Sequence, residues 1–330
     1  MKKILVAGAG GFIAGHLVSH LLQQGHTVVC ADIKPIEFWF QKFDECENFS
    51  VDLKEKKNCI KVTQGIEQVY NMACNMGGMG FIENNKAECM LSVLINTNLL
   101  LGCQKNKILK YFFSSSACVY NASKQLKNFI PGLKETDAYP ADPEDGYGWE
   151  KLFSERMCRH FTEDFGVQTR VARYHNVYGP MGTYGGGREK APAALCRKII
   201  EAKLNNLKSI DVWGDGEQTR SFMYIDDCIE GTEKIFKSNI LDPVNLGSEQ
   251  QVSINQMIDI IEEIAGTKLE RKYLLDKPKG VMGRSSDNQK IIKELKWSPK
   301  IELKIGLKKT YEWIYKSIIS GGNTKKFINK

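Results

Sequence analysis

Short apolar runs alternate with helical patterns in the first part of the chain. Residues 4–7 form an apolar run directly before glycines, which predicts a buried strand. Apolar residues between Phe12 and Leu22 then recur at the spacing of one helix face, and residues 27–31 are a second β-rich run. A strand, a helix and a strand within about thirty residues form a βαβ unit, so we expect a parallel sheet.

The alternation continues toward the middle of the chain. Residues 68–72, 111–114 and 167–173 predict further strands, and long helices are expected between residues 83 and 105 and over 147–165. Strands that alternate with helices in this way are typical of an α/β fold. The sequence therefore predicts a Rossmann-type, doubly wound parallel sheet.

The second half of the chain has a different pattern. A glycine-rich loop over residues 178–187 precedes a helix near 192–202, and shorter elements follow. We therefore expect a Rossmann domain over residues 1–173 and a smaller C-terminal α/β lobe over 174–330, segments of which can return to the first domain. Residues 320–330 are expected to form a polar tail.

A glycine-rich turn links the first strand to the first helix. Glycines there allow a tight turn and let the backbone approach a pyrophosphate, while the helix N-terminus offers free N–H groups and partial positive charge. Aligned as GxxGxxG, the turn has Gly8, Gly11 and, at the third position, Ala14. It predicts a dinucleotide site, and a glycine turn that binds nothing is the alternative.

Two aspartates follow the next two strands. Asp32 ends the second strand, where a carboxylate can bind the ribose 2′-hydroxyl of NAD and would repel the 2′-phosphate of NADP. Lys34 nearby weakens this inference slightly. Asp52 follows the third strand, where such folds contact the adenine, although alone it is a weak signal. The aspartates favour NAD as the cofactor, and an exposed turn is the alternative for Asp32.

A serine, a tyrosine and a lysine carry the strongest chemical signal. Tyr147 and Lys151 lie four residues apart on a predicted helix, so both side chains project from one face. A free tyrosine has a pKa near ~10, and a nearby ammonium and an oxidised nicotinamide both favour the phenolate and lower that pKa. Ser116, at the end of a predicted strand, can hydrogen-bond the reacting hydroxyl. All three are expected to be catalytic, because the glycine turn makes an ordinary surface pair a poor explanation.

These motifs, with segments 71–73, 116–120 and 174–180, resemble the extended short-chain dehydrogenases/reductases. That family includes the NAD-dependent epimerases and dehydratases of nucleotide sugars. Four further segments are similar to the branch that epimerises GDP-mannose at C3 and C5, namely residues 76–82, 185–194, 214–222 and 283–288. The resemblance runs from about residue 3 to 315. It implies an isomerase that binds NAD and a GDP-sugar and forms GDP-L-galactose or GDP-L-gulose.

The resemblance also implies how the reaction proceeds. Oxidation of the sugar C4 hydroxyl, with Tyr147 as base, makes the hydrogens on C3 and C5 acidic because each lies next to a carbonyl. Similarity assigns Cys118 and Lys190 to the pair that removes and returns those protons. A neighbouring cation would lower the pKa of the thiol, and burial would lower that of the amine. Simple packing is the alternative for Cys118.

Other substrate contacts are expected from the resemblance alone. Arginine suits phosphate because its planar fork donates two hydrogen bonds at once. Asn75, residues 121–128 and the tail from about residue 317 depart from the family pattern, which affects the expected sugar orientation and product ratio. An ordinary surface polar residue is the alternative for each charged or polar contact. Besides Ser116, Cys118 and Lys190, the expected contacts are Gly77, Ala117, Asn176, Glu189, Ala191, Lys198, Gln218, Thr219, Arg220 and Arg284.

Composition narrows the class of protein further. No apolar run approaches the ~20 residues of a membrane span, so no membrane partner is expected. The net charge is +7, and the basic residues are dispersed along the chain. Because the sequence has no nucleic-acid-binding motif, we interpret most of this charge as a solvated surface. Ten cysteines without CxxC or zinc-finger spacing favour free thiols in a reducing cytoplasm, and no metal site is expected. The family resemblance implies a homodimer.

Three other functions are compatible with the same scaffold. A nucleotide-sugar 4-epimerase would need no second acid–base pair, so Cys118 and Lys190 argue against it. A 4,6-dehydratase of this fold places acidic residues after its catalytic serine, where Ala117 and Cys118 stand here. A non-catalytic nucleotide-binding scaffold is disfavoured because Ser116, Tyr147 and Lys151 are all present.

Overall fold

The computed structural model describes residues 1–277, 280–321 and 325–328. Its strands are β1 (Lys3–Ala7), β2 (Thr27–Asp32), β3 (Glu47–Ser50), β4 (Gln68–Asn71), β5 (Lys110–Ser116), β6 (Gln168–Tyr174), β7 (Asn176–Tyr178), β8 (Ser209–Trp213), β9 (Thr219–Tyr224), β10 (Val244–Leu246), β11 (Gln251–Ser253), β12 (Glu270–Leu274) and β13 (Gly283–Arg284). Its α-helices are α1 (Phe12–Gln23), α2 (Lys56–Val62), α3 (Met79–Asn84), α4 (Lys86–Met90), α5 (Ser92–Lys105), α6 (Tyr147–Phe165), α7 (Ala191–Leu204), α8 (Ile225–Lys237), α9 (Ile254–Ala265), α10 (Gln289–Leu295), α11 (Leu303–Ile319) and α12 (Lys325–Ile328). Short 3₁₀ helices lie at Ile36–Phe38, Ala117–Val119, Ala122–Gln125 and Glu135–Ala138.

A seven-stranded sheet forms the centre of the described structure, in the order β10-β6-β5-β4-β1-β2-β3. Every pairing in it is parallel. From β1 the chain builds outward through β2 and β3, then returns to place β4 on the other side of β1. Ligands of doubly wound sheets bind at such a reversal, beyond the carboxyl ends of the strands. The predicted α/β fold with a Rossmann-type parallel sheet is confirmed.

Both faces of this sheet are covered by helices. On β1, Ile4 and Val6 belong to one apolar core, which continues into α1 and α8. Leu5 and Ala7 belong to a second core on the opposite face, formed with α2, α5 and α6. A strand buried on both faces reads as a continuous apolar run. That is why residues 4–7 could be identified as a strand from the sequence.

The single long helix expected between residues 83 and 105 is wrong. The structure has three shorter helices there, α3, α4 and α5. Asn85, between the first two, has φ −133° and ψ 43°, outside the helical region. Its side-chain amide donates to the Phe81 carbonyl at 2.8 Å. Such a side-chain bond to the backbone competes with helix continuation, and apolar spacing alone does not reveal it.

The second half of the chain contributes two smaller sheets. One contains β11, β9 and β13 with β7 beside β9, and the other pairs β8 with β12. Helices α7, α9 and α11 pack against one another around buried residues such as Ile199, Ile258 and Leu307. Strand β10 returns to the edge of the large sheet beside β6. The domain division at residues 173 and 174 stays a prediction.

The expectation of a polar tail over residues 320–330 is wrong for the part that is described. Phe327 in α12 is buried, and its ring lies 5.2 Å from the ring of Phe40 and 5.0 Å from that of Trp313. The Tyr184 N–H donates to the Phe327 carbonyl at 3.1 Å. A single aromatic residue anchors a segment whose neighbours are polar. Residues 322–324 and 329–330 lie outside the described residues.

Candidate active site

The glycine turn after β1 approaches the end of β4 very closely. Gly8 has φ +82°, and a Cβ at this position would lie 2.8 Å from the backbone N and Cα of Ala73. Only glycine combines this backbone conformation with this approach. Helix α1 then begins at Phe12, and no side chain caps it at Gly11. Its first N–H groups therefore face the space where an anion would sit.

The carboxylate at the end of β2 is tied to this turn. Asp32 is buried, and its oxygens accept hydrogen bonds from the backbone N–H of Gly10 at 3.0 Å and of Lys34 at 2.9 Å. Burial raises the pKa of Asp32, while these bonds and the Lys34 charge act against that rise. The Lys34 ammonium donates to the Gly10 carbonyl at 3.3 Å and lies 4.1 Å from the centre of the Phe40 ring.

One cavity of about 680 Å³ spans the carboxyl ends of the central strands and the second lobe. This volume is within the ~300–1,000 Å³ of typical ligand sites. Residues from both halves of the chain line it, which brings the predicted cofactor turn and the predicted chemistry into one space. The predicted site residues in its lining are Gly8, Gly11, Ala14, Asp32, Asp52, Gly77, Ser116, Tyr147 and Lys190.

Tyr147 and Lys151 lie on the first turns of α6, next to the end of β5. The Lys151 ammonium lies 5.6 Å from the centre of the Tyr147 ring and 4.7 Å from that of Phe113. It is fully buried, 3.8 Å from Glu150 Oε2, and neither atom has a hydrogen-bond partner in the described part of the chain. An unpartnered buried ammonium beside the cavity fits a site for the hydroxyls of a ligand.

Burial dominates the proton affinities around Tyr147. It raises the pKa of Tyr147 well above the ordinary value, while a hydrogen bond with Ser116 acts to lower it. Among the protein groups, desolvation of the phenolate outweighs the other influences, and the lowering expected beside an oxidised nicotinamide stays a prediction. Burial also raises the pKa of Glu150 to about 7, and Lys151 limits that rise. For Lys151, burial lowers the pKa but Cys74 and Glu150 outweigh it.

Cys118 lies two residues after Ser116, at the end of β5. A 3₁₀ turn starts after Ser116, whose Oγ accepts a hydrogen bond from the Cys118 N–H at 3.2 Å. Arg284, on β13, donates through Nη1 to Cys118 Sγ at 3.5 Å. Burial raises the pKa of Cys118 to about 12, with Glu144 adding to the rise and Arg284 opposing it. The expected cation is present, but the expected net lowering of the thiol pKa is wrong because burial outweighs it.

Lys190 reaches the same region from the start of α7. It lines the cavity, and burial lowers the pKa of its amine, whereas Cys118 and Cys74 act to raise it. A lowered pKa makes the Lys190 ammonium a better proton donor and leaves more of the amine neutral near pH 7, whereas a raised pKa keeps the Cys118 thiol protonated.

The other expected substrate contacts lie outside the cavity lining. Lys198 donates to the Asp211 carbonyl at 2.7 Å, and Asn176 donates to the Ser221 carbonyl at 3.1 Å. These bonds connect elements within the second half of the chain. The substrate contacts that the family resemblance implies for these residues stay predictions. The residues concerned are Ala117, Cys118, Asn176, Glu189, Ala191, Lys198, Gln218, Thr219, Arg220 and Arg284.

Three residues near the cavity were not identified from the sequence. Glu144 pairs with Arg284. Arg188 lines the cavity, donates to Asn75 Oδ1 at 3.0 Å and lies 3.8 Å from the centre of the Phe81 ring. Lys326, from α12, also lines it. Glu144 and Lys326 lie outside the segments recognised in the sequence, and Arg188 lies within residues 185–194 but no role was expected for it there.

Residues 1–277, 280–321 and 325–328 contain neither a candidate membrane-spanning helix nor a candidate metal site. None of the helices there has the length and apolar character to cross a membrane. No three histidine, cysteine or acidic side chains there are grouped so that they could hold a metal ion.

Known proteins share both the sequence and the fold. The model of the NAD dependent epimerase/dehydratase family matches residues 4–247. GDP-mannose 3,5-epimerase of Arabidopsis thaliana is 45% identical over 318 residues, which cover 96% of this chain and 83% of that protein. GDP-mannose 3,5-epimerase 1 of Oryza sativa subsp. japonica is 44% identical over 317 residues, covering 96% and 82%.

Solved structures agree with this relationship. UDP-glucose 4-epimerase of Thermotoga maritima, with UDP-glucose, has a TM-score of 0.86 at 24% identity, over 96% of this chain and 99% of that chain. UDP-glucuronic acid 4-epimerase of Bacillus cereus, with UDP-glucuronic acid and NAD, has a TM-score of 0.80 at 28% identity over the same shares. The chain therefore belongs to the NAD dependent epimerase/dehydratase family and, within it, to the group of the GDP-mannose 3,5-epimerases.

Proposed function

We propose that this chain inverts C3 and C5 of GDP-mannose through a transient ketone at C4, giving GDP-L-galactose, or GDP-L-gulose where only C5 is inverted. The observation that carries the proposal is the placement of a second acid–base pair, Cys118 and Lys190, beside Ser116 and Tyr147. Inversion at C4 alone would need only the serine, tyrosine and lysine. The 45% identity to a protein named for 3,5-epimerisation of GDP-mannose supports the same reaction.

NAD fits the cofactor side of the cavity. Gly8 lets the turn pack directly against the Ala73 backbone, the uncapped start of α1 suits a pyrophosphate, and Asp32 keeps acceptor capacity for a ribose hydroxyl. Asp52 lines the same side, and the buried Lys151 ammonium would hold the second ribose. When bound, NAD⁺ would supply a reversible hydride acceptor for sugar C4.

The residues of the chain would then handle the protons. Ser116 and Tyr147 would hold the sugar C4 oxygen, and Tyr147 would take its proton as C4 is oxidised. Lys151 would favour the phenolate because its ammonium is buried nearby. Once C4 is a ketone, Lys190 and Cys118 would remove a proton at C5 or C3 from one face and return one to the other.

The remaining arginines and polar residues would bind the rest of the substrate. Arg284 is buried and Arg220 is partly buried, and both interact electrostatically with Cys118. Burial lowers the pKa of Arg220 to about 10, and Arg284 acts in the same direction. Two adjacent guanidinium groups suit a diphosphate or the polar face of a sugar. Gly77 in the cavity lining would lie against the sugar.

The decisive experiment is incubation of the purified protein with GDP-mannose, followed by NMR of the sugar. Products epimeric at C5, or at C3 and C5, are the expected result. A product changed only at C4 would identify a 4-epimerase, and a 4-keto-6-deoxy sugar would identify a dehydratase. A Tyr147→Phe preparation, purified in the same way, is the control for contaminating activity.

Two broader expectations belong to the same proposal. All ten cysteines lie within the described residues and are free thiols there, which supports a reducing compartment such as the cytoplasm. We also expect a homodimer from the family resemblance, and light scattering on the purified protein would test it.

A further inference from the structure

We propose that Glu144 is a positioning residue for Cys118. Its carboxylate holds the Arg284 guanidinium against the thiol and keeps that thiol protonated in the free enzyme. This inference rests on the proposed function, in which Cys118 is one member of the proton-transfer pair. Glu144 precedes α6 and belongs to no motif found in the sequence.

Three contacts join Glu144 to the thiol. The Glu144 N–H donates to the Cys118 carbonyl at 3.0 Å, so the two backbones are directly connected. The Glu144 carboxylate pairs with Arg284 Nη2 through Oε1. Arg284 Nη1 then donates to Cys118 Sγ at 3.5 Å. Arg284 Nε donates to Gln125 Oε1 at 2.6 Å, so the guanidinium is held on three sides.

The arrangement is buried, which makes its charges effective. The Arg284 and Glu144 side chains are only 5% and 11% exposed. Glu144 Oε2 is buried and has no hydrogen-bond partner among the described residues. A carboxylate oxygen in that position retains its negative charge close to the thiol, where water screens it little. Burial raises the pKa of Glu144, but Arg284 and Cys118 outweigh it and the net direction is downward.

The balance of charge around Cys118 shows why this carboxylate matters. The titratable and charged groups that face the thiol come from several elements: Glu144 before α6, Tyr147 on α6, Lys190 before α7, Arg220 on β9 and Arg284 on β13. Within this set, Glu144 supplies the negative charge, and Arg220, Arg284 and the ammonium form of Lys190 supply positive charge. Without Glu144 the guanidinium groups would favour the thiolate, and Cys118 could no longer donate a proton.

The test is a pH titration of Cys118 in protein labelled with ¹³Cβ-cysteine, in the free enzyme. The Cys118 signal is the one lost in Cys118→Ala. In the wild type it should remain that of a thiol to above about pH 9, beyond the ~8.5 of an ordinary cysteine. In Glu144→Gln the midpoint should fall by about 1–3 pH units, as expected for loss of a charge within about 6 Å.

Asp145→Asn is the matched control, because Asp145 is the next residue and carries the same group but pairs with Lys86 on the surface. It should leave the Cys118 midpoint unchanged. A Glu144→Gln midpoint equal to that of the wild type would overturn the proposal. So would a wild-type thiol that titrates below about pH 8.5, a result that needs no variant to fold.

Turnover provides an independent second readout. In Glu144→Gln the pH optimum for exchange of sugar hydrogens with solvent should move to lower pH, with a larger effect on kcat than on KM. The NMR titration needs no substrate. If GDP-mannose is not epimerised at all, the proposed function fails while the titration still decides whether Glu144 controls the thiol.

Discussion

Asp32 Oδ2 accepts a hydrogen bond from the Gly10 N–H at 3.0 Å, so the carboxylate that ends β2 is fixed to the turn that follows β1. The two strands are parallel neighbours, and both elements lie at their carboxyl ends. A carboxylate can accept about four hydrogen bonds, and Asp32 uses one oxygen for Gly10 and the other for the Lys34 N–H. It therefore keeps capacity for a ribose hydroxyl.

This geometry predicts that the wild type binds NAD more tightly than NADP. The 2′-phosphate of NADP would bring negative charge against a buried carboxylate, whereas the 2′-hydroxyl of NAD can donate to it. Asp32→Ala should lose most of this preference by weakening NAD binding. Titration calorimetry with both cofactors on both proteins measures it. Equal or tighter NADP binding by the wild type would contradict the assignment, since Lys34 would then dominate.

Tyr147→Phe should abolish both epimerisation and transient reduction of the bound cofactor. Both wait for oxidation at C4, which needs the Tyr147 phenolate to accept the proton of the C4 hydroxyl. Lys151→Met should impair the same step, because it removes the buried cation 5.6 Å from the Tyr147 ring. Stopped-flow absorbance of the reduced nicotinamide, with NMR of the sugar, follows the two events separately. Near wild-type turnover by Tyr147→Phe would exclude the short-chain dehydrogenase mechanism.

The sequence predicts the fold well where local pattern decides structure. Residues 4–7 are apolar because β1 is buried on both faces, and Gly8 follows because the turn approaches Ala73 too closely for a side chain. The break at Asn85 could not be predicted, since a side-chain bond to Phe81 competes with a helix that the apolar spacing allows. The buried position of Phe327 depends on Phe40 and Trp313, whose proximity only the folded chain reveals.

In the candidate site, too, some residues could be predicted from the sequence and others could not. Ser116, Tyr147 and Lys190 belong to recognisable motifs, and all three line one cavity. The direction of the Cys118 pKa could not be predicted, because it depends on how far burial outweighs Arg284. Glu144 was missed because its partner Arg284 is 140 residues away in the sequence.

Glu150 should make the stability of the fold depend on pH near neutrality. Burial raises its pKa to about 7, above the ~4.3 of a free glutamate. The folded state therefore binds this proton more tightly, so its stabilising contribution is complete below about pH 4 and is lost as the pH rises through about 7. Between about pH 5 and pH 8 the wild type should lose up to about 3 kcal/mol of unfolding free energy relative to Glu150→Gln.

Urea unfolding of the two proteins at both pH values measures this difference. Glu312→Gln, an exposed change on α11, is the control and should follow the wild type at each pH. If wild type and Glu150→Gln kept a constant difference in unfolding free energy across this range, Glu150 would titrate outside it.

Phe327→Ala should loosen the C-terminal segment and weaken cofactor binding. The ring packs against Phe40 and Trp313, and both Phe40 and Lys326 line the cavity. Loss of a buried phenylalanine costs about 3–5 kcal/mol in a closed core, and somewhat less near a chain end. Limited proteolysis and NAD titration are the measurements, with Ile319→Ala, an exposed apolar change, as control. If Phe327→Ala bound NAD as tightly as the wild type, the C-terminal segment would pack on the core without contributing to cofactor binding.

Exchange of sugar hydrogens with D₂O should separate the roles of Cys118 and Lys190 from that of Tyr147. The wild type should place deuterium at C5 and C3 of the product while C4 keeps its original hydrogen, because hydrogen at C4 returns without passing through solvent. Cys118→Ala should still bind NAD and oxidise C4, since Ser116, Tyr147 and Lys151 are untouched. It should lose exchange at C5 and C3.

The expected loss of exchange in Cys118→Ala and in Lys190→Ala is about 10²–10⁴-fold, the usual contribution of a positioned acid or base. Lys203→Ala is the control for Lys190, because Lys203 lies on the helix that Lys190 precedes but donates to the Ala265 carbonyl outside the cavity. Deuterium at neither carbon in the wild type would exclude 3,5-epimerisation and favour a 4-epimerase. If exchange were unchanged in both Cys118→Ala and Lys190→Ala, 3,5-epimerisation would remain the reaction. Its acid and base would then be other residues near the cavity.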